Sequence, residues 1–195
     1  MVENASELAT QWTRFRGKPI IIEVLSIVMG VLLALGVNEW NEDRIDSRKA
    51  DEALRDVHAE LILNQKLLTT VHKNNSAIVK AIAEEVQGDE GQFVPGLQIQ
   101  DTAWKTMQAA GVNEHVEYEM LSMLSATYSF QEVYRSISYQ MIQNIMSTTA
   151  LATAIRQDAE LPDDLFLDNM ELVVMSEQGL LSLYERALEK FTEEE

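Results

Sequence analysis

Glu23 is the residue of this chain with the most conspicuous chemistry, because it is a carboxylate inside the otherwise apolar run from Ile20 to Val37. Ionisable groups inside membrane segments are costly, and they often line an ion path or pair with a basic residue of a partner. Glu23 also follows Pro19 closely, so it can extend toward the membrane surface and interact favourably with a helix N-terminus. We favour this surface role. Pairing with a partner and ion conduction are the alternatives.

The histidines and serines show no catalytic or metal-binding spacing. His58, His72 and His115 have acids nearby, such as Glu60 and Glu117, but the Glu-x-x-His spacing of carboxylate di-iron sites is absent. No serine lies in a G-x-S-x-G pattern, and there is no glycine-rich phosphate-binding loop. The chain has no cysteine, which excludes thiolate catalysis and disulfides. We therefore predict no catalytic residue, cofactor or metal, and a protein that is not an enzyme.

The apolar run predicts a transmembrane helix. As a helix, Ile20 to Val37 is roughly 27 Å long, close to the ~30 Å hydrocarbon core of a bilayer. Trp12 and Trp40 bracket the run, as interfacial aromatic anchors do. A cleaved signal peptide is the main alternative, with a small-x-small site at Ala34–Gly36. We favour an uncleaved anchor, because the run is longer than a signal peptide requires and contains a carboxylate.

A basic cluster before the run predicts the orientation. Arg14, Arg16 and Lys18 have no acidic residue among them, which favours a cytoplasmic N-terminus. We expect residues 1–18 to form a cytoplasmic interfacial segment and residues 19–38 to form the transmembrane helix. A frayed terminus is the alternative for the first segment.

Small residues form a stripe along the predicted span. Ser26, Gly30 and Ala34 follow a small-xxx-small spacing, and Asn38 continues the same helical face. Such stripes let helix backbones approach closely in lipid, where close packing drives association. We predict that this association face, Ser26, Gly30, Ala34 and Asn38, mediates self-association or docking on another membrane subunit.

Charge and composition describe the remainder of the chain. The net charge is −17, and the residues up to Val37 contribute nothing to it, since their three acids and three bases balance. A domain this acidic would be repelled by phosphate backbones, which argues against nucleic acid as a partner. Three prolines and eight glycines leave room for long helices, and no segment has strand periodicity.

The spacing of apolar residues predicts one extramembrane helical domain over residues 39–192. No proline or glycine interrupts residues 38–87, so we expect the helix to continue to about Gln87. Apolar residues recur there every three or four positions, with Asn64 and Asn75 in the polar gaps. We call these apolar positions the long-helix stripe: Leu54, Val57, Leu61, Leu68, Val71, Ile78, Ile82 and Val86. Gly88 to Gly96 is expected to form a loop. We expect a helix capped by Asp101 and ended by Gly111, and a next helix capped by Asn113. A further apolar stripe follows it, and the last helix is expected from about Asp164 to Phe191. The predicted fold is all-α: a transmembrane helix continues into a long helix that packs in an antiparallel helical bundle.

Two stretches resemble an uncharacterised family of small bacterial single-pass membrane proteins, known as a domain of unknown function. The first is EVLSIVMGVLLALGVNEWNE, from Glu23 to Glu42. The second comprises Thr102–Trp104, Ala110–Gly111, Leu121, Leu124 and Tyr128. The resemblance implies one membrane anchor and a helical extramembrane domain in the bacterial inner membrane, which the predicted orientation makes periplasmic. It implies no activity.

Taken together, these patterns favour a non-enzymatic, membrane-anchored oligomeric scaffold or an accessory subunit of a membrane complex. Its expected partners are the lipid bilayer and a second copy of the chain or another membrane subunit. A sensory or ligand-binding helical ectodomain is one alternative, because helical bundles often bind small molecules between their helices. A small oligomeric channel that uses Glu23 is the other.

Overall fold

A computed structural model describes the backbone of residues 4–84, 93–96, 98–155 and 163–193. It describes the side chains of residues 22–84, 93–96, 98–147 and 167–193. Within these ranges the chain is helical and contains no strand, so the predicted all-α fold is confirmed. The elements are α1 (Asn4–Ala83), α2 (Thr102–Ala110), a 3₁₀ turn (Val112–His115), α3 (Tyr118–Ile155) and α4 (Asp163–Glu193).

Helix α1 includes the backbone of the predicted interfacial segment as well as that of the predicted span. It begins at Asn4 and passes through Pro19. The ring of proline fits a helical φ and removes one backbone donor, so a proline is compatible with a helix that loses one hydrogen bond. The predicted continuation beyond the span is confirmed as far as Ala83. Its predicted end near Gln87 lies outside the described residues.

The chain divides into two compact units, Met1–Arg48 and Lys49–Glu195. In the first unit, every described side chain from Ile22 to Arg44 is exposed. The large apolar side chains from Ile22 to Val37 are 50–68% exposed. One helix in the described part of the chain is long and apolar enough to cross a membrane, and none of its apolar window is buried. The apolar window is therefore not part of the core of the described bundle, although a signal sequence shares its length and composition.

The second unit is a helical bundle whose helix directions follow from side-chain contacts. Glu60 and Asn64 of α1 contact Tyr128 and Gln131 of α3 in the same order, so α1 and α3 run in the same direction. Helix α4 runs antiparallel to α1, because His58 stacks on its far end at Phe191 while Asn75 bonds Glu177. The segment before α2 runs antiparallel to α1, because Val94 bonds Asn75 and Gln100 bonds Asn64. Helix α3 can therefore run parallel to α1.

Apolar side chains from all four helices form one core in this second unit. The long-helix stripe supplies Val57, Leu61, Leu68 and Val71, each buried as its spacing predicts. The indole of Trp104 stacks on the ring of Tyr128, with 5.2 Å between ring centroids. The other helices contribute further buried residues, among them Met107, Met120, Leu124, Met141, Met170, Val173, Leu180, Tyr184 and Ala187.

The ends of α2 and α3 differ in part from the prediction. Gly111 ends α2 in the left-handed region, at φ 69°, as expected. Asp101 occupies the N-cap position, but its side chain makes no capping hydrogen bond. Glu60 of α1 accepts the backbone N–H of Ala103 instead, at 2.9 Å. The expected cap at Asn113 is wrong, because a 3₁₀ turn intervenes and α3 begins at Tyr118.

Candidate functional site

Polar and charged side chains line the centre of the bundle, between its apolar layers. The buried members are Glu60, Asn64, Asn75, Thr127, Gln131, Ser138, Ser176 and Glu177. A buried polar group costs free energy unless it is hydrogen-bonded, so each of these requires partners. Glu60, Asn64, Asn75, Gln131 and Glu177, together with the tyrosines that bond them, form what we call the buried polar network.

Two asparagines of α1 bind the non-helical segment of residues 93–96 and 98–100, which we call the strap. The Nδ2 of Asn64 donates to the carbonyl of Gln100 at 2.7 Å, and its Oδ1 accepts the N–H of Gln100 at 2.8 Å. Asn75 does the same with Val94, at 3.0 and 3.2 Å. Each amide side chain therefore replaces a backbone partner, as a neighbouring strand would.

The spacing of the two asparagines matches the length of the strap. Asn64 and Asn75 are eleven residues apart, which is about three helical turns and about 16 Å along one face. Val94 and Gln100 are six residues apart, and a segment of six residues can span at most about 20 Å, which is enough to reach from one asparagine to the other. The strap therefore lies along α1, antiparallel to it, with an asparagine at each end.

Glu177 is the ionisable centre of the network. Its side chain is fully buried, and its Oε1 accepts the Nδ2 of Asn75 at 2.7 Å and the hydroxyl of Tyr134 at 3.2 Å. Its Oε2 lies 3.2 Å from the Nδ1 of His72. Burial raises the pKa of Glu177, and the hydrogen bonds from Asn75, His72 and Tyr134 oppose that rise only in part.

Three tyrosines complete the network. Tyr128 donates to Oε1 of Glu60 at 2.7 Å, and Tyr184 donates to Oε1 of Gln131 at 2.6 Å. Burial raises the pKa of Tyr128, Tyr134 and Tyr184, and nearby carboxylates add to the rise for each. The phenols therefore stay neutral and act as hydrogen-bond donors, which is a structural role.

Arg135 of α3 attaches the strap from its other side. One guanidinium nitrogen donates to the carbonyl of Ile99 at 2.9 Å, and the other pairs with Asp101 at 3.0 Å. Burial would raise the pKa of Asp101, but the bonds from Lys105 and Arg135 lower it overall. Burial would lower the pKa of Arg135, but its ion pairs with Asp101 and Glu132 raise it overall. This set of charges therefore fixes the junction between the strap and α2.

A groove of about 550 Å³ runs between α1 and α2. Apolar groups form much of its surface, including Leu63 and Met107. Glu52 and Asp56 contribute acidic side chains to the same groove, whereas Glu60, which also lines it, has both carboxylate oxygens bonded to Ala103 and Tyr128. Lys49, Gln100, Thr102, Thr106 and alanines at positions 53, 59, 103 and 110 complete the lining. Such a surface suits a small ligand with an apolar part and a positive charge.

The predicted membrane residues lie in the first unit as exposed positions on α1. Ser26 donates its hydroxyl to the carbonyl of Glu23 at 2.9 Å, and Asn38 donates to Glu42 at 2.8 Å. A Cβ added to Gly30 would meet no atom within 4 Å, so space for a second helix is open there. The side chain of Ala34 is likewise exposed.

The interface anchors are described only in part. The guanidinium of Arg44 lies 6.0 Å from the ring centre of Trp40, within cation–π range. The side chains of Trp12, Arg14, Arg16 and Lys18 lie outside those that the structure describes, although their backbone belongs to α1.

The histidines do not come together. His72 contacts Glu177, whereas His58 stacks on Phe191 with 4.6 Å between ring centroids. Among the described residues, no group of three or more histidines and carboxylates is placed to hold a metal ion. The sequence pattern identified Asn64 and Asn75 only as polar gaps in an apolar stripe. Their asparagine type at buried positions was the available signal for the network.

Comparisons with known proteins identify no relative. No family model matches the chain, and neither a curated protein nor a solved structure matches it significantly.

Proposed function

We propose that this protein is a membrane-anchored, non-enzymatic scaffold that self-associates, or an accessory subunit of a membrane complex. The observation that carries the proposal is the complete exposure of the apolar part of α1, from Ile22 to Val37. A continuous apolar surface of this kind is unstable in water and marks contact with lipid or with another protein. The anchor holds the acidic helical bundle close to the membrane.

The proposed topology is a single pass through a bacterial inner membrane, with a cytoplasmic N-terminus and a periplasmic bundle. Its support is the basic cluster of Arg14, Arg16 and Lys18 before the span. Glu23 lies near the start of the apolar segment, where a carboxylate can reach the interface.

The association face supports self-association within the bilayer. Ser26, Gly30, Ala34 and Asn38 recur every four residues on α1, and all four are exposed. The backbone at Gly30 is open to close approach, which is the condition for small-residue helix packing in lipid. The bundle suits a structural role, since its buried polar network uses neutral tyrosines and asparagines as bridges between elements.

A matched pair of glycine variants tests the association. Gly30→Ile places a branched side chain on the association face, and Gly36→Ile places the same side chain on another face of the same helix. Neither new Cβ meets an atom of the chain itself within 4 Å, so neither change strains the monomer. We expect G30I to reduce the detergent-solubilised protein to monomer and G36I to keep the native mass, measured by light scattering. Equal masses for both variants and the native chain would refute the prediction that the association face mediates self-association.

A ligand-binding ectodomain is the second candidate, and the groove between α1 and α2 favours it. The acidic side chains of Glu52 and Asp56 and the apolar lining suit a small amine with a short alkyl chain. Hexylamine should raise the unfolding temperature of the full chain in detergent, whereas hexanoate, of similar size and opposite charge, should not. An Ala103→Leu variant, which fills the groove, should lose the effect. An equal response to both compounds would argue against a specific site.

A further inference from the structure

The two ends of the strap are held by the same kind of bond but are supported by different chemistry. At the Gln100 end, Nδ2 of Asn64 lies 3.5 Å from Oε1 of Gln131, a neutral amide. Gln131 also donates to the carbonyl of Gln100 at 2.8 Å. At the Val94 end, the corresponding Nδ2 of Asn75 donates to Glu177, which can change charge. Only the Val94 end therefore has an ionisable group directly behind its asparagine.

The groups that face Glu177 come from each element packed against it. Helix α1 supplies His72 and Asn75, and α3 supplies Tyr134. The strap covers these partners, because Val94 bonds Asn75 and the backbone of Gly96 packs against the Tyr134 ring. His72 is the cationic partner, and its side chain is 22% exposed.

His72 and Glu177 are placed to share one proton. With that proton present, the pair is neutral overall, either as carboxylate and imidazolium or as carboxyl and imidazole. Loss of the proton leaves one negative charge beneath the strap, with only neutral donors around it. A buried charge without a counter-charge is costly, and hydration relieves that cost.

We propose that the Val94 end of the strap, residues 93–96, is a pH-sensitive contact: loss of the proton shared by His72 and Glu177 favours its release from α1, while the Gln100 end stays bound. Release lets water reach the carboxylate through the space that Val94 and Gly96 cover. The Gln100 end is supported by neutral amides and by Arg135, which donates to Ile99, so this titration does not act on it.

Thermodynamic linkage gives the sign of the effect. Burial raises the pKa of Glu177, so the bound strap holds the proton more tightly than the released strap does. The released form is therefore favoured as the pH rises through the titration of the pair. Linkage to one proton changes the open-to-closed ratio by up to about tenfold per pH unit.

Backbone hydrogen exchange at Val94 and Gln100 tests this proposal, because each amide donates to one of the two asparagines. The full chain in lipid nanodiscs would be measured from about pH 4.5 to about pH 8, because the pKa of Glu177 is raised above its ordinary value of 4.5. Exchange is expressed as a protection factor, which removes the intrinsic rise of exchange with pH. We expect the protection of Val94 relative to Gln100 to fall by up to about tenfold per pH unit in the titrating range.

Two carboxylate-to-amide variants of α4 distinguish the ionisation of Glu177 from the general effect of removing a carboxylate from this helix. Glu177→Gln keeps an oxygen for Asn75 and Tyr134 but cannot ionise, so the Val94 protection should no longer depend on pH. Glu171→Gln removes an exposed carboxylate of the same helix and should behave as the native chain. A flat native profile, an unchanged slope in E177Q, or a parallel fall at Gln100 would each overturn the proposal. If E177Q does not fold, the proposal is still tested by the pH dependence of protection at the Val94 and Gln100 amides of the native chain.

Discussion

Gly96 is the position where the addition of one methyl group should damage the bundle most. A Cβ at Gly96 would lie 2.7 Å from both Cε1 and Cζ of the Tyr134 ring, and closer still to its hydroxyl oxygen. Contacts under 3.0 Å are essentially never seen for a real Cβ, so either the ring or the strap must move. Tyr134 is fully buried and donates to Glu177 at 3.2 Å, so movement of its ring also breaks a buried hydrogen bond.

The cost of Gly96→Ala has two parts. Overpacking in a dense core costs about 1–3 kcal/mol. A buried hydroxyl or carboxylate oxygen that loses its partner costs a further ~1–3 kcal/mol. We therefore expect the free energy of unfolding to fall by roughly 2–6 kcal/mol, the sum of these two ranges. With a urea dependence of about 2 kcal/mol per molar, the unfolding midpoint should fall by about 1–3 M.

Urea unfolding of the full chain in detergent measures this change. The fluorescence of Trp104, which is 7% exposed and stacked on Tyr128, reports on the bundle. Gly179→Ala is the control, because its Cβ would approach only the partly buried ring of Phe130, at 3.1 and 3.3 Å. Alanine is also favoured over glycine inside a helix by up to ~1 kcal/mol. The control should therefore change the free energy of unfolding by less than about 1 kcal/mol.

A double-mutant cycle tests the cause. Tyr134→Phe removes the hydroxyl that lies nearest the new Cβ, so Gly96→Ala should cost less in that background than in the native chain. If Gly96→Ala leaves the unfolding midpoint unchanged, or if its cost is the same with and without the Tyr134 hydroxyl, then close packing of the strap on Tyr134 is not what requires glycine.

Two carboxylates of the network give further predictions. Glu60→Gln should lower the free energy of unfolding by about 1–3 kcal/mol, because Ala103 N–H and the Tyr128 hydroxyl bond different oxygens of Glu60 and the amide replaces one of these oxygens by an NH2 donor. Urea unfolding at neutral pH measures the change, and an unchanged midpoint would refute this capping role. Glu177→Gln should become more stable relative to the native chain as the pH rises above 4.5, because the raised pKa of Glu177 makes folding bind a proton in that range. Urea midpoints of both proteins across this range measure the difference, and a difference that shrinks with rising pH would contradict the sign.

Local signals predicted much of the fold. The apolar spacing along α1 identified its buried stripe, Gly111 identified the end of α2, and the last helix lies within α4 as expected. These features depend on residues within one or two helical turns, so they are visible in the sequence. The start of α3 was misplaced because Asn113, a good capping residue by type, lies in a 3₁₀ turn.

The buried polar network could not be predicted in the same way. Its bonds join residues far apart in the chain, such as Asn64 with Gln131 and His72 with Glu177. The cap of α2 shows the difficulty well. Asp101 has the residue type and position of a cap, yet Glu60 of another helix provides the bond, since Asp101 is already paired with Lys105 and Arg135. Only the packing of the helices decides between such competing partners.

The membrane anchor can be tested by washing isolated membranes with alkaline carbonate and measuring the intact mass of the protein in pellet and supernatant. We predict the whole 22.1 kDa chain in the pellet, because the exposed apolar segment from Ile22 to Val37 remains in lipid. Recovery of the protein in the supernatant would contradict the anchor and the association face that depends on it. A mass that matches a chain cleaved within or after this segment would contradict them too.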